Sequence, residues 1–322
     1  MNSENNLIEH FFKGDRRSLS RAISLVENED PYSVRLLDAV STKIGRAYRI
    51  GITGPPGAGK STLVDELTKH FRKQSKTVGV IAVDPTSPFT GGALLGDRIR
   101  MSDIALDEGV FIRSMATRGS LGGLSQKADD VADILDAFGK NFVIIETVGV
   151  GQSELDVVGV ADTTLVVLVP ESGDAIQAMK AGLMEIADFF ILNKADREGA
   201  DRAMQEIQNM LLLRPPKDWA PKVLQAVASE GEGITEIAEL IAEHRNYLVE
   251  KGILDKKRQN RLFKKIRAIV RSKLEKSFWD ESAHKILDAN LEKFDHLKLS
   301  PYKIAEQLLS NFKRKLEKRH ES

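Results

Sequence analysis

The chain has 322 residues, enough for more than one substructure, and its 47 Lys or Arg are matched by 47 Asp or Glu. Zero net charge excludes a protein built throughout to bind polyanions, and the absence of cysteine excludes a disulfide framework or a thiolate metal site. Charge is unevenly placed, however: residues 246–322 hold 20 Lys or Arg and 11 Asp or Glu, a local +9 that leaves −9 on the remainder.

The six histidines are scattered without ligand spacing. No apolar run approaches the roughly 18 residues of a membrane span, and the first residues lack the charged and apolar regions of a signal peptide, so a cytoplasmic protein is expected.

Residues 1–47 read as helices, with Leu19, Ala22, Ile23 and Val26 at helical spacing. They are expected to form an N-terminal extension, an appendage before the first strand. Arg16, Arg17 and Arg21 read as its solvated face.

From residue 48 to about 245, short β-branched runs alternate with helical ones. The expected strands are Tyr48–Thr53, Val78–Val83, Phe142–Ile145, Thr164–Val169, Phe189–Leu192 and Val223–Val227. Runs apolar on both faces and separated by helices predict an α/β fold, a mostly parallel sheet covered by helices on both sides. Right-handed crossovers then place the loops after the strands on one edge, where open sheets bind ligands.

The first such loop is Gly54-Pro55-Pro56-Gly57-Ala58-Gly59-Lys60-Ser61, which fits G-x-x-x-x-G-K-[ST] between a strand and a helix. Its glycines let backbone N–H groups converge on phosphate, and the following helix adds its positive dipole end. These residues and the adjoining Thr62 are candidate nucleotide contacts. Lys60 is placed on the β and γ phosphates and Ser61 on Mg²⁺.

Asp84 closes the second strand, and a turn-rich loop follows, then Leu95-Gly96-Asp97-Arg98-Ile99-Arg100-Met101, a candidate switch. Phe142-Val143-Ile144-Ile145 runs into Glu146, a carboxylate set at the sheet edge to position Mg²⁺ directly or through water. Gly149 can let a backbone N–H approach the γ-phosphate. The loop after Val169 carries Lys180, either a charge-sensing residue or a solvated helix lysine.

Asn193-Lys194-Ala195-Asp196 follows the strand Phe189–Leu192 and decides the base. Asp196 can accept from the N1–H and exocyclic amine of guanine, whereas adenine has no N1–H and would leave the carboxylate unpaired. Lys194 is expected to cover the base and Asn193 to tie this loop to the phosphate loop. The loop at residues 227–233 reads either as the one whose backbone amide meets guanine O6, with Ala228 the expected donor and Ser229 beside it, or as an ordinary strand-to-helix turn.

Beyond Arg245, Leu262, Ile266, Val270, Leu274 and Phe278 recur every fourth residue, as do Ile304, Leu308, Phe312 and Leu316. Ser300 and Pro301 read as the cap and first residue of the last helix. Residues 246–322 are therefore expected to be a helical arm for dimerisation or partner docking, binding neither membrane nor nucleic acid.

Together these motifs resemble the methylmalonyl-CoA mutase-associated GTPase chaperones of MeaB or ArgK type, a branch of P-loop GTPases. The similarity runs from Gly14-Asp15-Arg16-Arg17 to Gly233. It is most specific at residues 83–92 and 95–101, at Glu146-Thr147-Val148-Gly149-Val150-Gly151-Gln152-Ser153-Glu154 and at Ser172-Gly173-Asp174. It implies a GTP- and GDP-binding enzyme with slow intrinsic turnover that gates cofactor loading of an adenosylcobalamin-dependent acyl-CoA mutase. Ser61, Asp84, Asp97 and Glu146 match the family's Mg²⁺ and hydrolysis positions, Lys180 lies in its third switch, and its members are homodimers joined through helical extensions. Lys60, Asp84, Asp97, Glu146 and Lys180 are thus the candidate catalytic set, with Arg98 a candidate arginine finger. A nickel metallochaperone is opposed because it predicts Cys or His ligands, and this chain has no cysteine and only scattered histidines. A transport-associated protein kinase is opposed by the guanine selectivity of Asp196.

Overall fold

The computed structural model describes residues 2–85, 102–117, 123–147, 159–170, 182–213, 218–291 and 300–320. The chain divides into two compact units, Met1–Gln259 and Asn260–Ser322.

The first unit is an α/β structure built on a seven-stranded sheet of β1 (Tyr48–Thr53), β2 (Val78–Pro85), β3 (Val110–Thr117), β4 (Phe142–Thr147), β5 (Thr163–Leu168), β6 (Phe189–Asn193) and β7 (Lys222–Ala226). The strand order is β3-β2-β4-β1-β5-β6-β7, and every pair is parallel. Six strands coincide with the apolar runs read from the sequence, because parallel strands covered on both faces have no solvent side to mark with polar residues. The seventh, β3, was not expected. It is an edge strand pairing with β2 alone, and Arg113 and Ser114 interrupt its apolar run.

Each face of the sheet carries its own core. On one, α4 (Lys60–Lys73) and α9 (Ile234–Glu250) pack Leu63, Leu67, Phe71, Ile237 and Ile241 against Ile50, Ile52, Val80 and Val167. On the other, α6 (Gly123–Ala137) and the N-terminal helices α1 (Asn2–Phe12), α2 (Arg16–Glu27) and α3 (Tyr32–Val40) cover Ile81, Val83, Val143 and Ile145. Phe11, Leu19, Ala22, Ile23 and Leu36 are each at most 1% exposed within that second core. Residues 1–47 are therefore part of the domain rather than an appendage to it, since their buried side chains share one core with α6 and with β2 and β4. Arg16, Arg17 and Arg21 do lie on the solvent side of α2.

The division at Gln259 falls beyond the boundary expected after residue 245. The reason is α9, which continues to Glu250 and buries His244 and Leu248, after which Leu254 still belongs to the core.

The amino-terminal edge of the sheet is polar and closely paired. Arg49, 3% exposed, meets Asp129 at 2.7 Å and also pairs with Asp133. Asp162 is fully buried and accepts from the Arg49 amide and from Arg258. Burying such charges is tolerable only because each finds an opposite partner.

Nearby, His244 is 1% exposed, its Nδ1 lying 2.8 Å from Thr163 Oγ1 and its ring 4.6 Å from that of Trp219. Burial pushes the imidazole down to about 4, against the pull of Asp188. The unfolded chain therefore takes up a proton near pH 6.5 that the folded chain refuses until about pH 4. Stability present above pH 6.5 is expected to fall by about 3 kcal/mol across that window from this group alone. Urea midpoints at pH 7.5 and 5.0 test this: His244→Gln should flatten the difference, and an unchanged pH response would refute it.

The second unit contains the end of α10 (Ile253–Phe278), α11 (Glu281–Leu291) and α12 (Pro301–His320). Ala283, Ile304 and Leu308 form a small core with Phe278, Ile286 and Leu287. Lys315 pairs with Asp280 at 2.6 Å, and the Lys303 amide donates to the Ser300 hydroxyl that caps α12. Leu262, Ile266, Val270 and Leu274 remain half exposed along α10. Among the described residues no helix is long and apolar enough to cross a membrane.

Candidate nucleotide site

Strand order decides the site. β1, which leads into the phosphate loop, lies directly beside β4, with Ile52 opposite Glu146. The carboxylate is thereby held level with the end of β1, immediately before the loop begins. A buried hydrogen bond of 2.9 Å from Thr147 to the Thr53 hydroxyl joins the two strand ends.

The loop then turns through Gly54, Gly57 and Gly59, all with positive φ. At two of them side chains are excluded by close neighbours. A Cβ on Gly54 would stand 2.1 Å from the Val167 carbonyl oxygen, and one on Gly59 would stand 2.3 Å from Asn193 Nδ2. Ala58 is fully buried, and Pro55, Pro56 and Gly57 line the outer part of the turn.

Gly59 precedes α4, whose first residues are Lys60, Ser61 and Thr62. Lys60 is 5% exposed, and its ammonium donates to the carbonyls of Gly54 and Pro55, both at 2.8 Å. Next to it, Ser61 Oγ donates to Glu146 Oε1 at 2.6 Å. A hydroxyl and a carboxylate in contact are hard oxygen donors of the type that binds Mg²⁺, a cation that takes few protein ligands and keeps waters and substrate phosphates for the rest.

The N-K-x-D loop closes on the same place. Asn193, 2% exposed at the end of β6, donates from Nδ2 to the Ala58 carbonyl at 2.8 Å. Its Oδ1 accepts from the Ala228 amide at 3.1 Å. One carboxamide thus holds three loops together, the tie expected of Asn193 being extended to the loop after β7. This differs from the sequence-based expectation for Ala228, whose amide is engaged by Asn193 in this structure. Its neighbour Ser229 is exposed on the same turn.

Lys194 adopts a left-handed φ of 58°, and its ammonium donates to the Gly57 carbonyl at 2.8 Å. This second bond to the phosphate loop had no signal in the sequence, because a lysine in N-K-x-D reads only as cover for the base. Asp196 stands exposed two residues further on.

Asp84 is the last residue but one of β2, the strand on the other side of β4, with Ala82 opposite Glu146. Its backbone is therefore on the nucleotide edge. Asp97, Arg98, Gly149 and Lys180 lie outside the described residues. Among those described, Lys60, Ser61, Glu146, Asn193, Lys194 and Ala228 are brought together by direct contacts.

Comparison with known proteins agrees with this geometry. Residues 19–283 match the family model described as methylmalonyl Co-A mutase-associated GTPase MeaB. The chain is 53% identical over 268 residues to a protein of Pyrococcus abyssi, covering 82% of this chain and 83% of that one. It is 40% identical over 261 residues to GTPase ArgK of Escherichia coli, covering 78% and 79%. Against the mitochondrial methylmalonic aciduria type A homolog of mouse it is 35% identical over 266 residues, covering 77% of this chain and 64% of that one. A crystal structure of a LAO/AO transport system kinase superposes with a TM-score of 0.73 at 31% identity, covering 97% of this chain and 98% of the other. The loop that cradles phosphate, the carboxylate beside it and the N-K-x-D turn are those of a GTP-hydrolysing P-loop enzyme, and the chain belongs to the methylmalonyl-CoA mutase-associated GTPase MeaB family.

Proposed function

We propose that this GTPase is a chaperone for an adenosylcobalamin-dependent acyl-CoA mutase, coupling GTP binding and hydrolysis to cofactor loading and to protection or reactivation of its client. The observation that carries the reading is the match of residues 19–283 to a family described by its association with methylmalonyl-CoA mutase. A cytoplasmic setting belongs to the same reading.

Phosphoryl transfer requires positioning and charge neutralisation more than covalent chemistry from the protein. Lys60 supplies a cation and the loop amides supply donors directed at phosphate, both preorganised by the bonds described above. Ser61 and Glu146 are the described groups that would hold Mg²⁺, with Asp84 and Asp97 further ligands or water-orienting groups in this proposal. When bound, the ion would add positive charge against the phosphates. Asp196 selects guanine, Ser229 and Ala228 line the base loop, Gly149 approaches the γ-phosphate, and Lys180 senses the partner.

A homodimer joined through residues 260–322 is part of the proposal. It is supported by the half-exposed row Leu262, Ile266, Val270 and Leu274 and by a groove in which the last three of these are joined by Phe278, Trp279, Leu309 and Phe312.

The test is steady-state GTP turnover with and without the client. Addition of an acyl-CoA mutase is expected to raise kcat by about tenfold or more, as partner-supplied stabilisation does in related chemistry. Equal turnover with and without every adenosylcobalamin-dependent mutase of the source cell would overturn the client assignment.

A further inference from the structure

We propose that the cleft between α1 and α2 is a second anion site, on the opposite face of the sheet from α4 and suited to a small molecule bearing a phosphate group. The cleft holds about 340 Å³ and is lined by Asn6, Leu7, His10, Arg17, Ser18 and Arg21. That volume lies at the small end of ligand pockets, about 300 to 1,000 Å³.

Its construction is regular. Asn6 and His10 stand one turn apart on α1, and Arg17 and Arg21 stand one turn apart on α2 with Ser18 between them, so α1 presents two polar side chains to the cleft and α2 three. Leu7, 5% exposed, is the apolar residue of the lining. Each guanidinium offers five N–H donors, the imidazole and carboxamide add theirs, and among the described residues no carboxylate lines the space.

The two nearest acids in sequence are already occupied, Glu9 by Lys13 at 2.6 Å. Asp15 caps α2, its Oδ2 accepting from the Ser18 amide at 2.9 Å and the Ser18 hydroxyl at 2.6 Å, while Oδ1 takes the Arg17 amide. Arg16 is likewise committed, its guanidinium donating to the carbonyls of Asp107 and Ala105. Arg17 and Arg21 differ from it. Among the described residues neither forms an ion pair or a side-chain hydrogen bond, although the remainder of the chain before residue 246 carries an excess of acid.

Two unpaired guanidiniums at helical spacing match the two negative charges of a phosphomonoester, whose oxygens accept from planar forks more tightly than from lysine. The solvated basic face expected from the sequence is thereby given a receiving shape by α1. Because α2 packs on the core that contains Ile81 and Val143, and α4 on the one that contains Ile50 and Leu63, the cleft is not an outer part of the nucleotide site.

The experiment uses the full chain saturated with GDP and Mg²⁺, so that the phosphate loop is filled, and titrates inorganic phosphate at constant ionic strength. The readout is the His10 ring resonances by NMR. A saturable shift is expected, with the apparent Kd raised about tenfold or more in Arg17→Gln/Arg21→Gln while GDP affinity stays unchanged. Both arginines are exposed, so the thermal midpoint should also be kept; if the double variant melts lower, Arg21→Gln alone carries the same comparison. No saturable shift in the wild type, or an equal Kd in the variant, would overturn the site.

Discussion

Replacing Asp196 with asparagine is expected to move preference from GTP to xanthosine triphosphate. The carboxylate would accept two hydrogen bonds from guanine, and charge-assisted bonds of this kind contribute about 1.5–3 kcal/mol each. Asparagine keeps one acceptor and turns the other toward a donor, which suits the carbonyl that xanthine carries where guanine has its amine. A loss of roughly 3–4 kcal/mol corresponds to GTP affinity lower by about 10²–10³-fold. Asp196 is exposed, so the substitution should leave folding intact. The loop that presents it is anchored independently, by Asn193 on Ala58 and Lys194 on Gly57. Competition binding with GTP and xanthosine triphosphate measures the effect directly. Unchanged GTP affinity in the variant would remove the base assignment.

Loss of nucleotide binding is the expected outcome of Lys60→Ala. A unit charge about 4 Å from a phosphate, at the effective dielectric of a partly buried site, is worth about 4 kcal/mol, or roughly a thousandfold in affinity. Lys60 is also placed for this in advance: only 5% exposed, it is fastened to the Gly54 and Pro55 carbonyls at 2.8 Å. Removing it deletes the cation and releases two carbonyls that now help shape the turn. Equilibrium binding of a fluorescent GDP analogue, with a thermal melt to confirm folding, is the measurement. Affinity within a few-fold of wild type would mean that the loop amides alone hold the phosphates.

Much of the site was legible because its parts are local. A phosphate cradle is a short loop with glycines at fixed offsets before a helix, and N-K-x-D is four consecutive residues, so neither depends on distant sequence to be recognised. The same holds for the six strands found from their apolar runs. β3 escaped because Arg113 and Ser114 interrupt its apolar run, Arg113 being tolerated there through its ion pair with Glu27 of α2. The N-terminal helices were read correctly as helices and wrongly as an appendage: amphipathic spacing states that a face is buried but not against what.

The amino-acid sequence by itself determined the P-loop α/β class, the guanine-type turn and the helical character of both ends, since each follows from periodicity or from tight spacing. Only the tertiary structure decided that β4 lies beside β1, which sets Glu146 against Ser61, and that Gly59 must lack a side chain because Asn193 occupies the space. It also decided that the Ala228 amide is taken by Asn193, and that the first unit continues to Gln259. These are outcomes of strand order and packing, in which residues far apart in the chain compete for the same few ångströms, and no local pattern records the result.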